Sequence, residues 1–273
     1  LLLGWVRPLA LWRHQVNPPA GAQMVLLLGQ SREGALRFAV PALALLALYV
    51  IAVLLAGRVS GRWAVAAIGA PVLFAVTLLP MFPGGTQDIF HNIADGRLFW
   101  RYNENPTLVP PAAHPDDAFY PHLFGYTDLP SAYGPLWYLL AGPVTALAGD
   151  GLVANVLAQK ALMAAFFLAT VVLVWWTARA AWPGRPDVAT SAAVAVGWCP
   201  LLLWELPGNG HNDAVMVFFA VAALAAAVRE RWRWVFPLLT LSALVKFTTL
   251  LLGPVLFLWS LRRTDVPRRD LIA

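Results

Sequence analysis

The feature that most constrains the fold is a series of seven apolar runs, separated by shorter polar loops. Most runs approach or exceed the about 20 residues that an α-helix needs to cross a bilayer, and they are too long for barrel strands of about ten residues. Charged residues make up only 12% of the chain, about half of the roughly 25% in soluble domains. We therefore predict an all-α, polytopic membrane protein. The runs are Leu36–Ala56, Trp63–Phe82, Tyr133–Gly149, Leu152–Trp176, Val188–Leu206, Ala214–Val228 and Trp234–Leu261.

Arginines indicate which loops lie on the cytoplasmic side. The net charge of +5 comes mostly from arginines in short loops, as the positive-inside rule expects. The excess of basic residues therefore indicates which loops face the cytoplasm, and no nucleic-acid partner is predicted. Because all the basic loops share one side, the chain must cross the membrane an even number of times between any two of them. The clusters are Arg58/Arg62, Arg179/Arg185, Arg229/Arg231/Arg233 and Arg262/Arg263/Arg268/Arg269.

This parity identifies two runs that do not cross in the ordinary way. Tyr133–Gly149 is a third run between two basic clusters and contains internal glycines and prolines, so we interpret it as a juxtamembrane or re-entrant helix on the outer face. Trp234–Leu261 is too long for one span at about 1.5 Å per residue and short for two. We predict a compact hairpin with Lys246 near its tip. Asp88, the turn Asn209–Asp213 and Lys246 then all lie on the outer face.

The runs also divide the chain into segments. Residues 36–261 form the transmembrane module, with an external loop over 83–132. Residues 1–35 have no clear assignment, although a truncated helix is expected near their start, and 262–273 are interpreted as a cytoplasmic basic loop. Because the sequence has no initiator methionine and ends in this loop, we expect a fragment of a longer protein.

Charged side chains at the ends of the apolar runs are candidates for chemistry, because ionisable groups there are costly and functional by default. Asp88 follows a Pro-Gly-Gly turn and is either a general base or the N-cap of a helix. Lys246 either binds an anion or anchors a helix end by snorkelling. Arg97 either forms a surface ion pair with Asp95 or binds phosphate.

The turn Asn209–Asp213 is the most specific polar cluster, because it places several polar side chains between two apolar runs. One carboxylate would be enough to cap the following helix, so the neighbouring side chains favour a substrate-binding role. The histidines of the outer loops match no strong metal-ligand spacing. A metal site is therefore the less favoured interpretation, and no cofactor is predicted. The candidate substrate-binding residues of the turn are Asn209, His211, Asn212 and Asp213.

Taken in order, these motifs resemble those of the GT-C superfamily of integral-membrane glycosyltransferases. The chain is most similar to the polyprenyl-phosphate-mannose-dependent α-mannosyltransferases of bacterial lipoglycan assembly and to related family 87 enzymes, from about Trp63 to Leu261. Where that family often has Asn-Pro-Tyr, this chain has Asn105-Pro106-Thr107. The matching motifs are Asp88, Gly96-Arg97-Leu98, Asn105-Pro106, Tyr133-Gly134-Pro135-Leu136-Trp137, Gly208-Asn209-Gly210-His211-Asn212-Asp213-Ala214 and Leu244-Val245-Lys246.

The resemblance implies an enzyme of the bacterial plasma membrane that transfers a sugar, with mannose favoured. The donor would be a polyprenyl phosphate, the acceptor a glycan or glycolipid hydroxyl on the outer face, and the single displacement would invert the anomeric centre. It implies that Asp88 is the general base, that Lys246 contacts the donor phosphate with Arg97 as a second candidate, and that Tyr133 flanks the lipid-donor groove. Asn209–Asp213 would face the substrate.

Three other functions remain open at this stage. A GT-C transferase could use another lipid-linked sugar, such as arabinose or aminoarabinose. A transporter or flippase would also place polar residues near broken helices, and a non-catalytic scaffold would use none of these side chains in chemistry.

Overall fold

The computed structural model describes residues 1–14 and 32–262. Within these ranges the regular elements are helical, and an isolated antiparallel bridge joins Ala10 to Met81. This confirms the predicted all-α fold class. Shorter 3-10 or π turns cover Leu2–Val6, Pro111–Ala113, Tyr120–His122, Trp204–Gly208, Trp232–Trp234 and Phe247–Leu251. The α-helices are α1 (Leu11–His14), α2 (Arg32–Ala56), α3 (Gly61–Leu78), α4 (Asp88–Trp100), α5 (Pro135–Ala148), α6 (Leu152–Ala181), α7 (Pro186–Gly197), α8 (Pro200–Leu203), α9 (Asp213–Val228), α10 (Val235–Ala243) and α11 (Leu252–Leu261).

Among the described residues, three helices, α2, α3 and α6, are long and apolar enough to cross a membrane. A fourth candidate is α7 together with the helical stretch that continues to Gly208, bent by 48° at the break. These elements match four of the predicted apolar runs. Most of the unassigned N-terminal segment and the arginines that follow Arg262 lie outside the described residues.

Neither of the two runs predicted not to cross in the ordinary way forms a single helix of spanning length in the described residues. Helix α5 has 14 residues, which gives about 21 Å against a hydrocarbon core of about 30 Å. The last run is broken between α10 and α11, where Lys246 has an extended backbone. The rings of Trp232, just before this run, and Trp259, near its end, lie 5.6 Å apart between centroids. The run therefore folds back on itself as a hairpin with Lys246 at its tip.

Helix α4 is fixed in place by close packing against α5. Its Ile89, Phe90 and Ile93 are fully buried in the main core. Gly142 of α5 allows the approach, because a Cβ atom at this position would lie 1.5 Å from Cδ1 of Trp100. The Trp100 indole also donates a hydrogen bond of 3.0 Å to the backbone oxygen of Tyr138. The start of α4, where Asp88 lies, is therefore held on a rigid support.

Candidate active site

The Tyr-Gly-Pro motif before α5 packs directly on the tip of the hairpin. The amide of Gly134 donates to the carbonyl of Val245 at 3.0 Å, and the amide of Leu136 donates to that of Leu244 at 3.1 Å. A Cβ atom at Gly134 would lie 2.2 Å from the Leu244 oxygen, so this contact requires glycine. Two motifs that are more than 100 residues apart in the sequence are thereby joined through their backbones.

This backbone contact brings Lys246 to the other predicted site residues. Its ammonium nitrogen lies 3.2 and 3.0 Å from the two carboxylate oxygens of Asp213 and 5.7 Å from the ring centroid of Tyr133. The side chains of Lys246 and Asp213 are about one-third exposed. An ammonium group has three donors, so a partly exposed Lys246 can bind a further anion from outside.

Asp88 begins α4 and directs its carboxylate towards the same cluster. Its Oδ2 accepts a hydrogen bond of 3.4 Å from the Tyr133 hydroxyl and lies 3.5 Å from Nδ1 of His211. The N-cap position of α4 is Gln87, and Asn212 is the N-cap position of α9. Asp88 and Asp213 each follow the cap residue, and their carboxylates contact other segments of the chain. The capping interpretation is therefore wrong for both.

His211 connects Asp88 to a second carboxylate, Glu205. The Nε2 atom of His211 lies 3.1 Å from Oε2 of Glu205. Burial opposes protonation of the imidazole, but the Glu205 hydrogen bond and the negative charges of Asp88, Glu205 and Asp213 outweigh it and raise the pKa of His211 above its usual value. This environment favours the positively charged form of His211, which lies between two carboxylates.

The remaining residues of the polar turn point inward. Asn209 is fully buried; its amide oxygen accepts from the Gly85 amide at 3.1 Å, and its amide nitrogen donates to Glu205 at 3.3 Å. Asn212 is also buried. The structure therefore directs only His211 and Asp213 of the turn towards Asp88 and Lys246, and Asn209 joins the turn to the loop that leads into α4.

Arg97 does not join this cluster. Its guanidinium binds Asp117 through two parallel contacts of 2.8 Å and Asp150 at 2.7 Å, and the side chain is 4% exposed. The predicted surface pair with Asp95 is also wrong, because Asp95 is buried and accepts a hydrogen bond of 2.5 Å from the Ser131 hydroxyl. The Arg97 guanidinium is already bound by two carboxylates, and these contacts fit a structural role better than the predicted phosphate contact.

A buried lysine that the sequence analysis did not single out binds the segment that leads to Asp88. Lys160 lies in the first third of α6, is fully buried, and donates to the carbonyls of Leu78, at 2.8 Å, and Met81. These carbonyls end α3 and begin the segment that leads to Asp88. A charged residue inside an apolar run is the signal that could have identified Lys160, but its acceptors lie about 80 residues away.

Comparison with known proteins gives a consistent picture. A family described as "Alpha-(1->6)-mannopyranosyltransferase, N-terminal domain" matches residues 5–262. Alpha-(1->6)-mannopyranosyltransferase A of Mycobacterium tuberculosis is 29% identical over 180 residues, which cover 65% of this chain and 33% of that protein. Alpha-(1->6)-mannopyranosyltransferase B of Corynebacterium glutamicum is 28% identical over 182 residues, covering 63% and 26%. The chain thus spans a third or less of the length of these relatives. No solved structure matches it.

Proposed function

Because this chain belongs to the family of alpha-(1->6)-mannopyranosyltransferases, we propose that it forms the catalytic part of a membrane mannosyltransferase. The donor is a polyprenyl-phosphate mannose, and the acceptor is a hydroxyl of a glycan or glycolipid. The observation that carries this proposal is the cluster of Asp88, Tyr133, Asp213 and Lys246, in which a carboxylate and an ammonium from distant segments are both partly exposed.

The proposed reaction is a single displacement. The acceptor oxygen forms a bond to the anomeric carbon of mannose as the bond from that carbon to the phosphate oxygen breaks, and Asp88 accepts the proton of the acceptor hydroxyl. The electron pair of the broken bond leaves with the polyprenyl phosphate, whose negative charge is stabilised by Lys246. Phosphate is a good leaving group, so one base and one cation suffice, in contrast to the carboxylate pair of most glycosidases.

We place this site on the outer face of a multi-pass membrane protein. The ends of the helices that carry arginines lie together: Arg229 donates to the Trp176 carbonyl at 2.6 Å, and a Cβ atom at Gly57 would lie 3.9 Å from Asp187. Asp88 begins α4 beyond the other end of α3, and Lys246 lies beyond the other end of α10. This segregation agrees with a cytoplasmic basic side and an outer catalytic side.

The test uses the purified chain in lipid nanodiscs with radiolabelled polyprenyl-phosphate mannose and a mannoside acceptor. We expect Asp88→Asn to lower the transfer rate by about 10²- to 10⁴-fold, the usual contribution of a general base, and Lys246→Met to raise the KM for the donor. Asp116→Asn is the matched control, because Asp116 is an exposed acid in the same external loop. Full activity of Asp88→Asn would remove Asp88 from the role of base.

A parallel series with other labelled donors tests the sugar. Polyprenyl-phosphate arabinose and a lipid-linked aminoarabinose are offered under the same conditions. Preferential transfer from either would replace mannose in the proposal. Uptake of the label into sealed vesicles without a new glycosidic bond would instead indicate a transporter.

A further inference from the structure

A cavity of about 240 Å³ lies beside Asp88 and is not used in the mechanism above. We propose that it binds the terminal pyranose ring of the acceptor glycan or glycolipid. This inference rests on the proposed function and identifies where the second substrate is recognised. The residues used in the argument are Asp88, His91, Asp95, Tyr126, Ser131 and Tyr133.

One wall of the cavity is a single face of α4. Asp88, His91 and Asp95 are three and four residues apart, so their side chains lie in one row along the helix. The opposite wall is the end of the external loop, which includes Tyr126 and Ser131. The cavity therefore lies between the helix that begins with the proposed base and the loop that covers this helix.

The polar side chains that line the cavity can form hydrogen bonds to the hydroxyl groups of a sugar. Asp95 is 4% exposed and already accepts the Ser131 hydroxyl, yet a carboxylate has about four acceptor positions. It can therefore accept sugar hydroxyls as well. Burial raises the pKa of Asp95 to about 7, although the Ser131 hydrogen bond opposes this shift. A carboxyl group that exchanges between its neutral and charged forms near neutrality can both donate to and accept from hydroxyl groups.

Tyr126 supplies an apolar surface. Its side chain is 68% exposed, and its ring lies 6.3 Å from the His91 ring at a steep angle. Its backbone φ of 55° lies in the left-handed region, which is uncommon for a bulky residue and strains the backbone. Such strain concentrates at ligand-binding positions, and an exposed aromatic ring at the cavity can cover one face of a sugar.

The position of the cavity suits the geometry of the reaction. Asp88 and Tyr133 line the cavity and also belong to the Lys246 cluster, whereas Lys246 itself is not among the lining residues within the described chain. In a single displacement, the acceptor hydroxyl and the leaving phosphate occupy opposite sides of the anomeric carbon. An acceptor in the cavity would present its hydroxyl to Asp88, with the donor phosphate at Lys246 beyond Tyr133.

The volume sets the size of the ligand. The cavity is smaller than the roughly 300 Å³ at which pockets for drug-sized ligands begin. It therefore suits one pyranose ring, and the remainder of the acceptor would extend past the exposed Leu129 and Tyr126 at its rim. The enzyme would thus make most of its contacts to the terminal sugar of the acceptor and few contacts to the rest of the acceptor.

The test measures transfer to octyl α-mannopyranoside as the concentrations of acceptor and donor are varied separately. We expect Tyr126→Ala to raise the KM for the acceptor by about three- to tenfold, the usual effect of losing one aromatic contact, with the KM for the donor unchanged. Tyr126→Phe keeps the ring and should restore the acceptor KM. Leu108→Ala is the matched control, because Leu108 is 74% exposed in the same external loop and does not line the cavity.

Three outcomes would contradict the inference. If the wild-type chain transfers mannose and Tyr126→Ala keeps its acceptor KM, the cavity is not the acceptor site, although the proposed function stands. A rise in the donor KM alone would assign the cavity to the donor. If the wild-type chain transfers nothing, the proposed function fails, and binding is then read directly by saturation-transfer NMR with methyl α-mannopyranoside. A signal that is lost in Tyr126→Ala supports the sugar site, and no wild-type signal refutes it.

Discussion

Replacing Arg97 with methionine distinguishes a structural role from the phosphate-binding role that the sequence predicted. The substitution preserves most of the side-chain volume but removes the two contacts of 2.8 Å to Asp117 and the contact of 2.7 Å to Asp150. Asp117 is 9% exposed and would become a buried carboxylate without its cation. Breaking a buried pair in this way costs about 3–5 kcal/mol.

We expect the loss in the free energy of unfolding to lie in the lower half of this range. Asp117 keeps hydrogen bonds of 2.7 Å from the Tyr102 hydroxyl and 2.8 Å from the Phe119 amide, so the carboxylate is not left without donors. For a protein of this size, each kcal/mol corresponds to about 2–4 °C in Tm. We therefore expect the Tm of Arg97→Met to fall by about 6–16 °C. Tryptophan fluorescence during heating in detergent micelles measures this change, since the chain has 13 tryptophans.

Arg101 provides the matched control, because its guanidinium binds the same Asp150 carboxylate at 2.5 Å but is 51% exposed. Exposed pairs contribute little, so Arg101→Met should leave the Tm close to that of the wild type. The double variant Arg97→Met/Asp117→Asn removes both buried charges, keeps an oxygen acceptor at position 117 for the Tyr102 hydroxyl or the Phe119 amide, and should recover part of the lost stability. An unchanged Tm for Arg97→Met, together with a raised KM for the donor, would refute the structural assignment.

Three further variants test the site. Asp95→Asn should remove a pH dependence of stability: because the folded-state pKa is raised to about 7 from 3.8, the free energy of unfolding of the wild type should fall as the pH rises between these values, and Tm measurements from pH 4 to 8 check this. His211→Gln should remove a second contribution of the same direction, from a raised histidine pKa. That stabilisation is complete below about pH 6.5 and is lost as the pH rises through the folded-state pKa, so above about pH 6.5 the variant should lose less stability than the wild type in the same measurements. Lys160→Met removes the ammonium donor from the Leu78 and Met81 carbonyls, although the Leu78 carbonyl keeps its hydrogen bond from the Met81 amide. It should lower kcat more than it changes the KM for the donor, because it disturbs the segment before Asp88 without touching the phosphate site, and steady-state kinetics separate the two effects.

The sequence was sufficient to predict the elements and the convergence of the main charged groups. Apolar length identified the candidate spans, and the resemblance to α-mannosyltransferases is confirmed by the family match. Charge parity predicted that Asp88, Asp213 and Lys246 share one side. The structure brings them together, with Lys246 at 3.0 Å from Asp213 and Tyr133 between Lys246 and Asp88. These inferences succeeded because helix length and arginine placement act along the chain and can be read locally.

The local sequence does not predict which polar side chains are buried or which distant residues they contact. Asp117 and Asp150 lie 20 and 53 residues from Arg97, and nothing in the sequence around Arg97 distinguishes a cation saturated by carboxylates from one that awaits a phosphate. The local sequence likewise does not show that the side-chain amide of Asn209 is hydrogen-bonded to Gly85 and Glu205. Polar residues in one motif therefore divide into those that contact ligand and those that position their neighbours only when the tertiary partners are known.

The two carboxylates at the starts of α4 and α9 have different roles because their partners differ. Asp213 is bound closely by Lys246, so its carboxylate neutralises the ammonium group that would bind the donor phosphate in the proposed reaction. Asp88 has only longer contacts, 3.4 Å from Tyr133 and 3.5 Å from His211, and its side chain is 38% exposed. A general base must release its partners to take a proton from the acceptor hydroxyl, and weak contacts together with access from the cavity make this release easy. The difference in partners thus supports our proposal that Asp88 takes the proton and that Asp213 modifies the charge that meets the phosphate.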